Sequence, residues 1–157
     1  MLRSIHYYFK QRFNFPAQEA YGWCTDFTPE DQKLMQETNA TREVQFVSED
    51  VILLIDTFSG ENKTITKQKL VCLYPKQLKW ASTHLTGPNK HSQFLYEIVP
   101  EGNNTCHLEF TALHLDYDAR EGSSKSEAEA RARELRKIDS DTWKVLAVEM
   151  EKELREK

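Results

Sequence analysis

The sequence predicts an α+β fold in which a curved, seven-stranded antiparallel sheet wraps around a long C-terminal helix, with two short helices after the first strand. Three observations predict it. An aromatic run over residues 4–13 alternates like a strand and stops before Pro16, six further strand-like segments fill residues 42–117, and the remainder is helical in its spacing. No linker or internal repeat divides the chain, so residues 1–157 are predicted to form a single domain.

The composition narrows the class of protein. Of the 157 residues, 39% are hydrophobic and 29% charged, as in a soluble globular domain. The formal net charge of −4 argues against nucleic-acid binding. No apolar run approaches the roughly 20 residues that span a bilayer, and MLRSIHYYFKQRF lacks the features of a signal peptide. Together with three cysteines at no metal-like spacing, this predicts a cytoplasmic protein with free thiols and no membrane insertion.

The first strand and the helices after it follow from local patterns. Ile5, Tyr7, Phe9 and Phe13 share one face of the strand. Pro16 suits the first turn of a helix, where its missing N–H costs nothing. A second short helix is predicted from Pro29 to about residue 37, after a turn whose Asp and Thr can cap it.

The next six strands form an antiparallel meander with short connections. Their sequences are REVQFVS and DVILLIDTF, TITKQKLVCLY, KQLKWASTHL, SQFLYEIV and TCHLEFTALHLDY. The basic residues Lys63, Lys67 and Lys69 gather on one strand pair. Without exposed aromatic residues beside them, they are interpreted as protection of an edge strand against aggregation.

The C-terminal segment is amphipathic. Ser126 with Glu129 predicts a capping box at its start. The polar stretch IDSDT offers a second N-cap at Asp139 or Ser140, so either one kinked helix or two helices are expected. The predicted inward positions are Leu135, Ile138, Val145, Leu146, Met150 and Leu154, with Ala128, Ala132 and Trp143 at the margin.

Three segments in this order carry a family resemblance. FPAQEAYGWCTD resembles a segment written a-P-x-e-x-v-W-x-x-l-x-D, with Pro16 at the Pro, Tyr21 at the Trp and Asp26 at the closing Asp. YEIVPEGNNTCHLEFTA resembles a hairpin between the last two strands, and DTWKVLAVEMEKEL resembles a closing helix. These segments are typical of the START-like superfamily, also called SRPBCC, which includes birch-pollen allergens and polyketide cyclases. The resemblance covers essentially the whole chain and implies the helix-grip fold.

The resemblance implies a cavity between the sheet and the C-terminal helix that holds an apolar or amphipathic small molecule. The inward faces of the strands would supply aromatic side chains with a few polar groups, although the same aromatic residues would also suit a solid core. The candidate ligand-binding residues are Trp80, His84, Phe94, Tyr96, Leu108, Phe110, His114, Trp143, Leu146 and Met150.

The expected function is binding or transport of a hydrophobic small molecule, lipid or polyketide-like, without a cofactor. The alternatives are a cyclase or dehydratase, with His84, His114, Asp56 and Tyr96 as the only acid–base candidates, or a protein-interaction adaptor. Asp56 is interpreted either as an inward carboxylate with a raised pKa or as a strand-end residue that reaches solvent. No catalytic signature, metal-ligand spacing or nucleotide fingerprint is present, so no catalytic residue or metal site is assigned and binding is favoured over catalysis. Homodimer formation through an edge strand or the long helix stays open.

Overall fold

A computed structural model describes residues 2–31, 39–120, 122 and 124–157 of the chain. We number its main helices and strands in chain order. They are β1 (Arg3–Phe13), α1 (Ala17–Cys24), β2 (Ala40–Ser48), β3 (Val51–Ser59), β4 (Thr64–Tyr74), β5 (Lys79–His84), β6 (Gln93–Pro100), β7 (Cys106–Asp116) and α2 (Lys125–Arg155), with a 3₁₀ turn at Pro75–Gln77. The second short helix predicted after Pro29 lies, for residues 32–37, outside the described residues.

The seven strands form one curved antiparallel sheet, as predicted. Their spatial order is β1-β7-β6-β5-β4-β3-β2, so the first strand closes back onto the last and the rest follow as a meander. The register aligns aromatic residues across neighbouring strands, with Trp80 opposite Tyr96, Tyr96 opposite Phe110, and Phe110 opposite Phe9. Because side chains alternate between faces along a strand, this alignment gives the sheet one continuous aromatic face.

The aromatic face of β1 forms part of the core. Ile5, Tyr7, Phe9 and Phe13 are all buried, which confirms the predicted parity of this strand. Phe9 stacks on Phe110 with ring centroids 4.6 Å apart. Each such ring contributes about 1.5–3 kcal/mol to folding by leaving water.

Helix α2 is one continuous helix of 31 residues, so the alternative of two separate helices is wrong. Its N-cap is Ser124, whose hydroxyl accepts a hydrogen bond from the Glu127 backbone N–H at 3.2 Å. The predicted capping box at Ser126 is therefore wrong by two positions, because the same Ser-x-x-Glu pattern occurs at Ser124. Among the described residues, no helix is long and apolar enough to cross a membrane.

The inward face of α2 also differs from the prediction. Leu135 and Met150 are buried as expected, but Ile138 is 54% exposed. Asp139, one residue later, faces the sheet and accepts a hydrogen bond from Tyr7 on β1. Successive side chains of an α-helix are rotated by about 100°, so an error of one residue in the predicted inward face placed Ile138 where Asp139 lies.

The interpretation of the lysines as edge protection is wrong for Lys67 and Lys69. Strand β4 lies inside the sheet between β3 and β5, and both lysines are half-buried on it. Only Lys63, in the turn before β4, is exposed. The edges of the sheet are β1 and β2, which local sequence patterns do not reveal.

Candidate functional site

A cavity of about 580 Å³ lies between the inner face of the sheet and helix α2, with the segment after α1 at its mouth. Seven of the ten predicted ligand-binding residues line it. They are Trp80, His84, Phe94, Tyr96, Phe110, Trp143 and Leu146.

The other three predicted residues lie elsewhere. Leu108 and Met150 are fully enclosed in the core, with no exposed surface. His114 is half-buried near one end of β7, opposite Ile5 of β1. None of the three is among the residues that line the cavity. Their positions follow the predicted inward parity, but the core fills the space beside them.

One end of the cavity is aromatic. Trp80 and Tyr96 stack in parallel, with ring centroids 4.7 Å apart and 4° between their planes. Phe110 meets Tyr96 edge-on at 5.1 Å, and Trp143 of α2 lies 5.9 Å from Tyr96 and 6.4 Å from Trp80. These rings support one another from both the sheet and the helix, so the wall that they form is fixed in place.

Helix α1 helps to fix that wall. Tyr21 is buried, contacts the edge of the Trp80 ring at 5.8 Å, and donates its hydroxyl proton to the Lys79 carbonyl at 2.9 Å. Trp23 donates its indole N–H to Glu153 near the end of α2 at 2.8 Å. The segment after Pro16 therefore joins the mouth of the cavity to both the sheet and the long helix.

The opposite end of the cavity carries charge. Asp56 on β3 is fully buried and receives two hydrogen bonds from Arg42 on β2, at 2.7 and 2.9 Å, and the Lys69 ammonium lies 2.8 Å from it. Burial alone would raise the pKa of Asp56, but the hydrogen bonds and positive charges of Arg42 and Lys69 lower it to about 2.

Both interpretations of Asp56 from the sequence are therefore corrected. The carboxylate faces inward and does not reach solvent, and its pKa is lowered where the inward alternative expected a raised value. The reason is the register of the sheet, which places Arg42 directly opposite Asp56.

Arg42 also connects this buried cluster to the mouth. Its Nη1 donates to the Asp31 carboxylate at 3.2 Å, and Asp31 accepts a further bond from the Thr28 backbone N–H at 3.0 Å. Nearby, partial burial and the Asp31 and Glu153 carboxylates raise the pKa of Asp26 to about 6. The mouth is therefore acidic, while the inner charged end holds the basic groups.

Sequence reasoning predicted none of the charged residues that line the cavity as ligand-binding residues. They are Asp26, Glu30, Asp31, Arg42, Lys67, Lys69, Asp139 and Glu153. The Asp139 carboxylate accepts the Tyr7 hydroxyl proton at 2.5 Å, and burial raises its pKa. Burial and the neighbouring Lys69 lower the pKa of Lys67. A signal for Asp139 exists in the sequence, because it lies four residues after Leu135 and four before Trp143, on the apolar stripe of the helix.

His84 lies between the aromatic and charged ends. Its ring is 5.0 Å from that of Phe94, and its Nδ1 lies 3.1 Å from the Asn89 side-chain oxygen, an arrangement in which Nδ1 donates. Burial and the charge of Lys69 lower its pKa to about 4, so the imidazole is neutral at neutral pH.

The acid–base candidates predicted from the sequence do not form a hydrogen-bonded pair. Within the part of the chain that the structure describes, no hydrogen bond joins any two of His84, His114, Asp56 and Tyr96. Nor do three or more His, Cys, Asp or Glu side chains among the described residues come together as a metal site would require.

Comparison with solved structures identifies the fold. The chain superposes on the Zhui aromatase/cyclase from Streptomyces sp. R1128 with a TM-score of 0.74 and 14% identity, over 98% of this chain and 96% of that one. It superposes on a START superfamily protein from Mycobacterium smegmatis with a TM-score of 0.67 and 11% identity, over 94% and 98%. The protein has the helix-grip fold of the START-like superfamily.

A third solved structure extends the comparison. Norcoclaurine synthase from Thalictrum flavum, solved with dopamine and hydroxybenzaldehyde, matches with a TM-score of 0.69 and 12% identity, over 99% of this chain and 88% of that one. No family sequence model matches the chain, and no curated protein matches it in sequence. At these identities the likeness is one of fold.

Proposed function

We propose that this START-like domain binds an aromatic small molecule in its cavity and carries or sequesters it. The observation that carries the proposal is the fixed aromatic wall of Trp80, Tyr96 and Trp143 facing open space of about 580 Å³. Small-molecule sites typically enclose about 300–1,000 Å³ and combine apolar walls with a few polar groups. This cavity fits that description in both respects.

The aromatic side chains of the wall favour a flat ring system over a flexible lipid chain. Burying apolar surface contributes about 25 cal/mol per Å² for either ligand. A stacked or edge-on aromatic contact adds about 0.5–1.5 kcal/mol, and a rigid ligand loses less conformational entropy on binding than an acyl chain does. The charged end further favours a ligand with a polar group on one side.

Catalysis is the second candidate, and Asp139 is the observation that favours it. Asp139 is a carboxyl group beside the cavity whose pKa is raised by burial, and a carboxyl of this kind can act as a general acid or base. Two of the similar structures are an aromatase/cyclase and a norcoclaurine synthase, which supports this candidate by analogy of fold alone. A carrier would return a bound aromatic compound unchanged in mass, whereas an enzyme would return a product.

The binding proposal is tested with the neutral fluorescent probe N-phenyl-1-naphthylamine. We expect its emission to rise on binding to the native protein, and Leu146→Trp, which fills part of the cavity, to weaken binding by about tenfold or more through steric exclusion. Val148→Trp is the matched control, because Val148 lies on the same helix and is 64% exposed. Equal affinity of both variants and the native protein would contradict binding in the cavity.

A further inference from the structure

We propose that the ligand is a phenol-type aromatic whose hydroxyl group binds between Lys67 and Asp139. The hydroxyl oxygen accepts a hydrogen bond from the Lys67 ammonium, and the hydroxyl proton is donated to the Asp139 carboxylate. This inference rests on the proposed function and names the chemical class of the ligand. The rings of the ligand would occupy the aromatic end, so both ends of the cavity are used.

Lys67 is held in place at the inner end without a polar partner. Its ammonium lies 5.6 Å from the centroid of the Phe58 ring and forms no hydrogen bond or ion pair with any described residue. Its stem passes so close to Gly87 that a Cβ there would lie 2.9 Å from the Lys67 Cγ. The packing therefore directs a free donor group toward the cavity that Lys67 lines.

Asp139 is held in place from the helix side. Tyr7 donates its hydroxyl proton to Oδ2 of Asp139, while Oδ1 forms no hydrogen bond with the described part of the chain. Asp139 and Lys67 both line the cavity and attract one another, yet no ion pair within 4.0 Å joins them. Lys67 and Asp139 therefore present a donor and an acceptor to the same cavity without forming an ion pair with one another.

The balance of charge at the charged end of the cavity favours a neutral ligand group between Lys67 and Asp139. Arg42 and Lys69 are both bound to Asp56, which leaves Lys67 and Asp139 as the cation and anion that the described residues do not pair. A ligand anion would be attracted by Lys67 but repelled by Asp139. A ligand cation would be attracted by Asp139 but repelled by Lys67. Desolvating a charged group costs far more than desolvating a hydroxyl, so a hydroxyl that both donates and accepts satisfies the two groups at least cost.

The test uses two probes of similar size that differ only in this group, 2-naphthol and 2-methylnaphthalene, whose methyl group can neither donate nor accept a hydrogen bond, measured by isothermal titration calorimetry. Hydrogen bonds to charged groups are worth about 1.5–3 kcal/mol, so we expect 2-naphthol to bind the native protein roughly 10-fold to 100-fold more tightly. Lys67→Met should remove most of this preference and leave the affinity for 2-methylnaphthalene unchanged, because that probe offers Lys67 no acceptor. Lys63→Met is the matched control, because Lys63 is exposed in the turn before β4.

A second variant tests the acceptor. Asp139→Asn keeps an acceptor for Tyr7 but removes the charge, so it should reduce the preference for 2-naphthol by about fivefold or more. Equal binding of the two probes to the native protein, or a preference that survives Lys67→Met, overturns the inference while leaving the proposed function intact.

A third probe, 2-naphthoate, separates the hydroxyl from an anion. Tighter binding of 2-naphthoate than of 2-naphthol at neutral pH overturns the inference in favour of an anion site. Binding of none of these naphthalenes overturns the proposed function itself, and the inference falls with it.

Discussion

Arg42 donates two hydrogen bonds to the fully buried carboxylate of Asp56, at 2.7 and 2.9 Å. The two residues lie directly opposite one another on β2 and β3, and Lys69 completes the charge on the neighbouring strand. A buried carboxylate is tolerated only when it is paired in this way, because its desolvation costs several kcal/mol. The pair therefore fixes the register of the edge strand β2 and orders the charged end of the cavity.

Breaking this pair should be strongly destabilising. Arg42→Met leaves Asp56 buried with Lys69 as its remaining cation, and we expect the free energy of unfolding in urea at neutral pH to fall by about 3–5 kcal/mol. The double variant Arg42→Met/Asp56→Leu should recover part of that loss, because no carboxylate is then left to desolvate, while Lys69 loses its partner. A single variant within about 1 kcal/mol of the native protein would show that Arg42 does not compensate Asp56.

His84 should make the stability of the protein depend on pH in a defined window. Its pKa in the folded state is about 4, below the ordinary 6.5, so the unfolded chain takes up a proton at a higher pH than the folded protein does. The stability from the neutral imidazole is therefore fully present above about pH 6.5 and is lost as the pH falls toward 4.

The size of this loss can be measured against a variant. His84→Gln cannot titrate, so between pH 7 and pH 5 the native protein should lose about 2 kcal/mol more stability in urea than the variant does. The His84 ring resonances followed by NMR should also report a neutral imidazole at pH 5. Parallel pH profiles for the two proteins would mean that the imidazole titrates in the folded state as it does in the unfolded chain.

Much of the fold was predictable because its signals are local. The period-2 burial of Ile5, Tyr7 and Phe9 and the short turns between strands specify the meander. The aromatic wall followed from the same parity, since Trp80 and Tyr96 lie on inward positions of neighbouring strands.

The charged end could not be predicted in the same way. Lys67 and Asp139 belong to residue types that are usually solvated, and their burial depends on which strands lie inside the sheet and on the phase of a long helix. The pairing of Arg42 with Asp56 depends on the register between β2 and β3, which is a tertiary property. Asp139 could have been identified from its position, because a single acidic residue on the apolar stripe of a helix is a candidate for an inward-facing residue, as a single acidic residue in an apolar strand is.

The N-terminus of α2 provides a test with a matched control. Ser124 accepts the Glu127 backbone N–H, whereas Ser126 lies inside the first turn. Ser124→Ala should therefore lower the free energy of unfolding by about 1 kcal/mol, and Ser126→Ala should change it by less than half as much. Thermal or urea unfolding of the two variants compares them directly, and a larger effect at Ser126 would move the cap to the position that the sequence first suggested.

Gly87 should be needed for a second reason besides its backbone conformation. Its φ of 104° disfavours any side chain, and its would-be Cβ lies 2.9 Å from the Lys67 Cγ. Gly102 has a similar φ of 117° but no described atom within 4 Å of its would-be Cβ. Both Gly→Ala variants should lose about 1–2 kcal/mol of stability from the backbone strain.

Only Gly87→Ala should also displace the stem of Lys67. We therefore expect it to lose more stability than Gly102→Ala, and to weaken 2-naphthol binding severalfold while binding of 2-methylnaphthalene persists. Urea unfolding and calorimetry on the two variants give both readouts. Equal losses of stability with unchanged binding would show that Lys67 adapts to the added methyl group, and that the loop containing Gly87 does not position its ammonium.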